Sequence, residues 1–162
     1  MGEEGSEALG EDRRAGAAGL DAVLVDMREA LLAEFGALAI YGRLSRSRAD
    51  PELADLLERF RDDEEELIGR LRSLHASFGK QAPARSFRRG IAPWFLACAA
   101  RLGFRSLALR SCIWSEETVS RWYLQHAMYL GQAGLVEAAR ACESLSSTKQ
   151  RHALALQAWV ER

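Results

Sequence analysis

The sequence predicts an all-α fold, arranged as a four-helix bundle. Ala, Leu, Arg and Glu dominate the 162 residues, only three residues are proline, and runs of β-branched residues are few. This composition favours helix over strand. Apolar residues recur at every third or fourth position in four segments, which is the spacing of a helix with one buried face. Four such helices joined by short links are typical of a bundle.

The helix boundaries follow from start and stop signals. Residues 1–19 are rich in Gly, Glu and Ala without an apolar period, so we predict a flexible N-terminal tail followed by one bundle domain over 20–162. Asp50 before Pro51 is a strong helix start, with Asp as N-cap and Pro at the first helical position. The helices are predicted over residues 20–48, 51–78, 91–132, with a break near Gly103, and 135–160.

Charge and cysteine content exclude several classes of protein. The net charge is −1, which predicts no nucleic-acid partner. The three cysteines, Cys98, Cys112 and Cys142, match no zinc or disulfide spacing, and the N-terminus resembles no secretory signal. No run of about 18 apolar residues is present. We therefore predict a cytoplasmic protein, with the inner face of the membrane as its location if it binds lipid.

Each predicted helix carries an ionisable residue in the middle of its apolar face. These residues are Glu34, Glu64, Glu116 and, on the last helix, Lys149 with His152. A register error of one position would place any single one at the surface. A lone carboxylate in a dry core is costly unless it is paired or bound to a metal. Four helices with the same feature therefore predict a shared metal site or its remnant.

Four stretches have the motifs of one family. AEFGALAIYGRL (33–44) resembles the family's first-helix motif, and FRDDEEELIGRL (60–71) resembles its second helix. APWFLACAARLGFRSLALRSCIWSEETVSRWY (92–123) is similar to its amphipathic segment and third helix, and KQRHA (149–153) to the end of its fourth helix. The family is that of the demethoxyubiquinone hydroxylases, ferritin-like di-iron carboxylate proteins. The resemblance implies a ferritin-like bundle with an extra amphipathic helical segment before the third core helix.

The resemblance also implies which residues would hold iron. Four ligand positions keep a ligand, namely Glu34, Glu64, Glu116 and His152. Two positions are substituted: Leu67 stands where the family has the His partner of Glu64, and Lys149 where it has the Glu partner of His152. No shift of the second helix by one or two residues restores a His at the partner position. The sequence therefore predicts a degenerate site, with no resident cofactor, or iron if the site is still filled.

Lys149 has two interpretations. Its ammonium can replace the charge of a metal among the three glutamates. With a protonated His152 the cluster then keeps one negative charge, which a neutral Glu would remove. Alternatively, Lys149 extends along its aliphatic stem to the surface.

A basic and aromatic stretch precedes the third core helix. Arg88, Arg89, Trp94 and Phe95 fit an interfacial helix, with aromatic rings at the acyl boundary and arginines on phosphates. The resemblance implies the same, because the family acts on a long-tailed quinone at a membrane surface. The alternative is an ordinary buried connecting helix. Among other residues, His75 and His126 are predicted at the surface or in caps.

Two functions are consistent with these observations. The first is a non-catalytic or altered family member that binds a quinone, a lipid or a protein partner at the membrane surface, with a homo-oligomer as one form of partner. The second is an active non-haem iron quinone hydroxylase, a monooxygenase of ubiquinone biosynthesis, with an altered metal site. No residue is assigned a catalytic role. The missing ligands favour the first function.

Overall fold

The chain folds into four long α-helices. The computed structural model describes residues 4–46, 50–83 and 105–162, with side chains from residue 20 onward. Within these ranges the helices are α1 (Glu4–Leu44), α2 (Pro51–Ser77), α3 (Arg105–Gln132) and α4 (Val136–Val160), and no strand is present. The predictions of an all-α fold and of four bundle helices are confirmed.

Helix α2 starts where the sequence predicts, and α1 starts earlier. Asp50 has an extended backbone, and its carboxylate accepts a hydrogen bond from the Leu53 amide at 3.0 Å, which satisfies one of the free donors of the first turn. Helix α1 begins at Glu4 rather than near Leu20. Ala and Glu are strong helix formers, so a segment without an apolar stripe still continues the helix backbone.

Helices α1 and α2 form one antiparallel pair, and helices α3 and α4 form another. Tyr41, near the end of α1, packs edge-on against Phe60 in the first half of α2, with ring centroids 5.6 Å apart. Asp21, much earlier in α1, lies 3.5 Å from Lys80, just beyond the end of α2. Helices α3 and α4 are joined by a tight turn in which Gly134 has a φ of 76°, a conformation that glycine adopts without strain.

Contacts between the two pairs determine the topology. On α1 and α3, Asp26 meets His126 and Tyr41 meets Glu116, so these helices run in opposite directions. Helices α2 and α4 are also antiparallel, since their paired residues are Glu52 with Arg162, Glu64 with Lys149 and Arg70 with Ser144. Among the described helices, the backbones of α1 and α4, and those of α2 and α3, do not approach closely, so these pairs meet only through side chains that reach across the core.

It follows that α2 and α3 are parallel and lie at opposite corners of the bundle. The link between them, residues 78–104, therefore starts at one end of the bundle and finishes at the other. A helix as long as α3, with 28 residues, spans about 42 Å. The link contains enough residues to return over that distance. The bundle thus has one long crossover connection between two antiparallel helical hairpins.

Two apolar clusters fill the bundle, one toward each end. The first includes Met27, Leu31, Leu71, Tyr123 and Leu130. The second, toward the other end, is formed by residues that include Tyr41, Leu57, Phe60, Leu109 and Leu156. Glu34, Glu64, Glu116, Lys149 and His152 lie between the two clusters along the helices, so a polar layer separates two apolar halves. No helix within the described ranges has the length and hydrophobicity needed to cross a bilayer.

Candidate functional site

Lys149 lies at the centre of the polar layer. Its Nζ atom is 2.6 Å from Glu64 Oε1 and 3.3 Å from Glu116 Oε2, and it also contacts Glu34 Oε2. The Lys149 side chain is only 1% exposed, and the three glutamates are equally buried. The structure thus brings together the glutamates that the sequence singled out, one from each of three helices. It rules out the alternatives in which Lys149 or these glutamates reach the surface.

Two tyrosines complete the contacts of the glutamates. The Tyr123 hydroxyl donates to Glu34 Oε1 at 2.6 Å, and the Tyr41 hydroxyl donates to Glu116 Oε1 at 2.5 Å. Burial first, and the adjacent carboxylates second, raise the pKa of both tyrosines well above 10. Both rings therefore stay neutral and act as hydrogen-bond donors.

The roles of the two tyrosines were not predicted, although the sequence contains a signal for them. The spacing Glu-x6-Tyr occurs twice, as Glu34 to Tyr41 on α1 and as Glu116 to Tyr123 on α3. Because α1 and α3 are antiparallel, the tyrosine of each helix reaches the glutamate of the other. The two hairpins therefore contribute to the site in a nearly two-fold symmetric way.

His152 connects the buried layer to the surface. Its Nδ1 atom lies 3.4 Å from Glu64 Oε1 and 3.6 Å from Glu116 Oε2, while Nε2 lies 2.9 Å from Asp63 Oδ2. The imidazole stacks on Phe60 with a centroid separation of 4.0 Å. Asp63 is half-exposed and was not predicted as part of the site. Asp63 is next to Glu64 in the acidic run of α2. Glu64 faces inward, and the Asp63 side chain extends around the helix to His152.

The charges of the layer are close to balance without a metal. Burial raises the pKa of Glu34 well above 4.5, and Glu64 and Glu116 add to this effect, together outweighing Lys149. Burial also acts on Glu64, but Lys149 and His152 overcome it and lower its pKa to about 2. The glutamates raise the pKa of Lys149 well above 10.5 despite its burial. Three glutamates thus face two basic side chains, Lys149 and His152, and the raised pKa of Glu34 favours its neutral form.

The side chains do not fit a two-iron centre. Glu64, Glu116 and His152 offer ligand atoms that all lie within 4.8 Å of one another, which is enough for one cation. The charged Nζ of Lys149 lies against the same glutamate side chains. Leu67 is buried in the first apolar cluster and supplies no ligand atom. Two irons would need the positions that Lys149 and Leu67 occupy, and each would lie beside an ammonium group.

The remaining predicted residues fall into two groups. Arg88, Arg89, Trp94 and Phe95, with the amphipathic segment that contains them, lie outside the described residues. His75 and His126 were predicted at the surface or in caps; the surface location is wrong because both are buried, while His75 does lie in the last turn of α2. Each lies on the edge of an apolar face, where the imidazole is covered while one ring nitrogen finds a partner: the Leu71 carbonyl for His75 and the Asp26 carboxylate for His126.

The protonation of His152 makes a measurable contribution to stability. Burial alone would lower its pKa, but Glu116, Glu64 and Asp63 together raise it from 6.5 to about 9. This stabilisation is complete below the unfolded-state pKa of 6.5 and is lost as the pH rises through 9, and the shift corresponds to at most about 3 kcal/mol. We expect the free energy of unfolding, measured in urea, to fall over this range.

The His152→Leu variant isolates this contribution. The raised pKa of Glu34 also makes the free energy of unfolding fall as the pH rises. The test is therefore the difference between wild type and variant in the slope of the free energy of unfolding against pH. The His126→Leu variant is a matched control and should keep the wild-type slope, because burial lowers the pKa of His126. An unchanged slope in His152→Leu would contradict the ion pairs of this imidazole.

Comparison with known proteins supplies no relative. No family model, no curated protein and no solved structure matches the chain. The resemblance to the demethoxyubiquinone hydroxylases therefore depends on the four sequence motifs, and the arrangement of the buried site is the basis for inferring function.

Proposed function

We propose that this protein is a ferritin-like relative of the demethoxyubiquinone hydroxylases that acts by binding rather than by oxygen chemistry. One observation carries the proposal: the Lys149 ammonium lies among three buried glutamates, whose positions in the sequence correspond to metal ligands in the family motifs. A buried carboxylate requires a counter-charge or a metal. Here the counter-charge is part of the chain.

The topology supports the ferritin-like assignment. Ferritin-like bundles have one long crossover connection, and the up-down-up-down bundles have none. The parallel direction of α2 and α3, at opposite corners, requires such a crossover over residues 78–104. The order of the site residues along the chain, with Glu34 on α1, Glu64 on α2, Glu116 on α3 and His152 on α4, is also that of the family motifs.

The ligand we propose is a quinone or another lipid, bound at a membrane surface, with a protein partner as the other form of binding. The basis is the segment with Arg88, Arg89, Trp94 and Phe95, whose composition suits the interface of a bilayer. In this proposal the bundle is a rigid support for that segment, and its core no longer needs to admit oxygen or a metal.

A second function remains a candidate because three buried polar atoms of the site could bind an ion. Glu64 Oε2, Glu116 Oε2 and His152 Nδ1 are buried and make no hydrogen bond of normal geometry, although Glu116 Oε2 and His152 Nδ1 lie at ion-pair distances from other groups of the layer. Buried polar atoms without partners are uncommon, and a bound ion or water is one explanation. A single metal held by these residues would make the protein an altered quinone hydroxylase rather than a binding protein.

Metal analysis distinguishes the two functions. We expect well under one iron or manganese per chain in protein purified from cells supplied with both metals, because two ligand positions are substituted and Lys149 repels a cation. Two tightly bound irons per chain would refute the proposal. One metal that is lost in Glu64→Gln, but kept in the matched control Glu65→Gln, would favour the altered hydroxylase.

Membrane binding is tested by sedimentation with vesicles. We expect the protein to co-sediment with anionic phospholipid vesicles, and the double variant Trp94→Ser, Phe95→Ser to remain in the supernatant. Val136 and Leu154 are exposed apolar residues on α4, and their replacement by Ser is the matched control. Equal sedimentation of wild type and the Trp94 and Phe95 variant would mean that this segment is not the membrane contact.

A further inference from the structure

The outer side of helix α3 carries large apolar side chains among its polar ones, while its core side is buried. Eight large apolar side chains are exposed among the described residues, and five of them belong to this helix: Leu107, Trp114, Trp122, Leu124 and Met128. Helices α1 and α4 share the other three, and the outer face of α2 has none. A surface helix normally has one apolar face. The apolar side chains on the outer side of α3 are therefore a candidate contact with another molecule.

Part of this surface forms a straight line along the helix. Leu107, Trp114, Arg121 and Met128 are spaced seven residues apart, and we call them the outer α3 stripe. Residues at this spacing stay on one side of a helix, and the stripe is about 30 Å long. Its three apolar members are each at least 60% exposed. The same spacing is used where two helices pack along their length.

We propose that the outer α3 stripe is the contact between two copies of this chain, packed with their α3 helices antiparallel about a two-fold axis near Thr118. The stripe matches itself in this orientation. Leu107 of one copy meets Met128 of the other, and Trp114 meets Arg121, whose guanidinium can stack on the indole. Each contact occurs twice, as a two-fold interface requires.

The charges on this face favour a second copy over a lipid surface. A helix that lies in a membrane interface has charged residues along its borders and only apolar residues toward the acyl chains. Here Arg121 lies inside the stripe, and Glu117 lies one turn away from it on the exposed side. In the antiparallel pair, Glu117 of one copy lies near Arg121 of the other. The proposal does not depend on the metal content or on the lipid ligand.

The oligomeric state tests the proposal. We expect size-exclusion chromatography with multi-angle light scattering to give twice the mass of one chain for wild type, and the mass of one chain for Trp114→Glu. Leu154→Glu on α4 is the matched control, since Leu154 is about as exposed as Leu107, and it should remain a dimer. Circular dichroism must show equal helix content in all three proteins.

A cross-link tests the register. Thr118→Cys should give a disulfide-linked dimer with copper phenanthroline as oxidant, whereas Gln150→Cys, exposed on α4, should not cross-link beyond the wild-type background. Cys112 and Cys142 are buried. A dimer that Trp114→Glu leaves intact, or one that Gln150→Cys links as well as Thr118→Cys does, would overturn the proposal. A monomeric wild type would also overturn the proposal. This holds even if Trp114→Glu impairs vesicle binding, or lowers the free energy of unfolding, in that monomer.

Discussion

Replacing Lys149 by Met should lower the free energy of unfolding at neutral pH by roughly 3–5 kcal/mol, the usual cost of leaving one partner of a buried ion pair uncompensated. Met is one atom shorter than Lys but keeps an unbranched apolar stem, so the packing changes little and the lost charge dominates. The expected loss is a large share of the total stability of a domain of this size. Urea unfolding followed by circular dichroism measures it.

Acidification should restore part of this loss. Without Lys149, the pKa values of Glu34 and Glu64 rise in the folded state, while in the unfolded chain they stay near the ordinary value of 4.5. The folded variant then binds more protons than the unfolded chain above about 4.5, so its stability falls with rising pH and recovers as the pH decreases toward that value. Wild type differs, because Lys149 and His152 hold the pKa of Glu64 at about 2.

The matched control is the other lysine of the chain. Lys80 is exposed and lies 3.5 Å from the exposed Asp21. Exposed ion pairs contribute about 1 kcal/mol or less, so Lys80→Met should unfold close to wild type. If Lys149→Met had the same urea midpoint as Lys80→Met, the ammonium of Lys149 would not be the counterion of the glutamates.

The second large effect concerns the double variant Lys149→Glu, Leu67→His, which would rebuild the ligand set that the resemblance implies. Without metal this variant should be strongly destabilised, because it places four carboxylates in one buried layer and a polar imidazole in the first apolar cluster. A metal that binds only the folded state reverses this, by about 2.7 kcal/mol when its concentration is a hundred times Kd. We expect the unfolding temperature to rise with added Fe²⁺ or Mn²⁺.

The controls for this variant are wild type and Lys149→Glu alone. Wild type should show no such rise, since its layer is already neutralised. Lys149→Glu alone restores only one of the two substituted positions and should respond less than the double variant. A double variant that is insensitive to metal would mean that these six positions do not converge as a ligand set.

The inward glutamates could be predicted from the sequence because the bundle is regular. Apolar residues at helical spacing identify the buried face, and any charged residue on that face must lie in the core. Glu34, Glu64, Glu116 and Lys149 follow this rule. His75 and His126 do not, because each lies at the edge of an apolar face with one ring nitrogen bonded to a nearby group, and neither interrupts the spacing of the apolar residues.

Other parts of the site could not be predicted because they depend on the directions of the helices. The crossed bonds from Tyr41 to Glu116 and from Tyr123 to Glu34 require α1 and α3 to be antiparallel neighbours. The contact of Asp63 with His152 requires a half-exposed residue to reach around its helix. Helix α1 extends to Glu4 because intrinsic propensity continued it where the apolar period had ended.

The division of the polar layer between two helical hairpins has a consequence for how the molecule assembles. The α1–α2 hairpin contributes Glu34 and Glu64, and the α3–α4 hairpin contributes Glu116, Lys149 and His152. The α1–α2 hairpin alone would bury two glutamates without a cation of the layer, while the α3–α4 hairpin alone has two basic side chains for one glutamate. Each hairpin alone would also leave half of the apolar core uncovered. One alignment of the hairpins is therefore favoured, because a slip of one turn would set Lys149 against apolar side chains. Since the buried charges are compensated only when both hairpins are docked, we expect the two halves to fold in one cooperative transition.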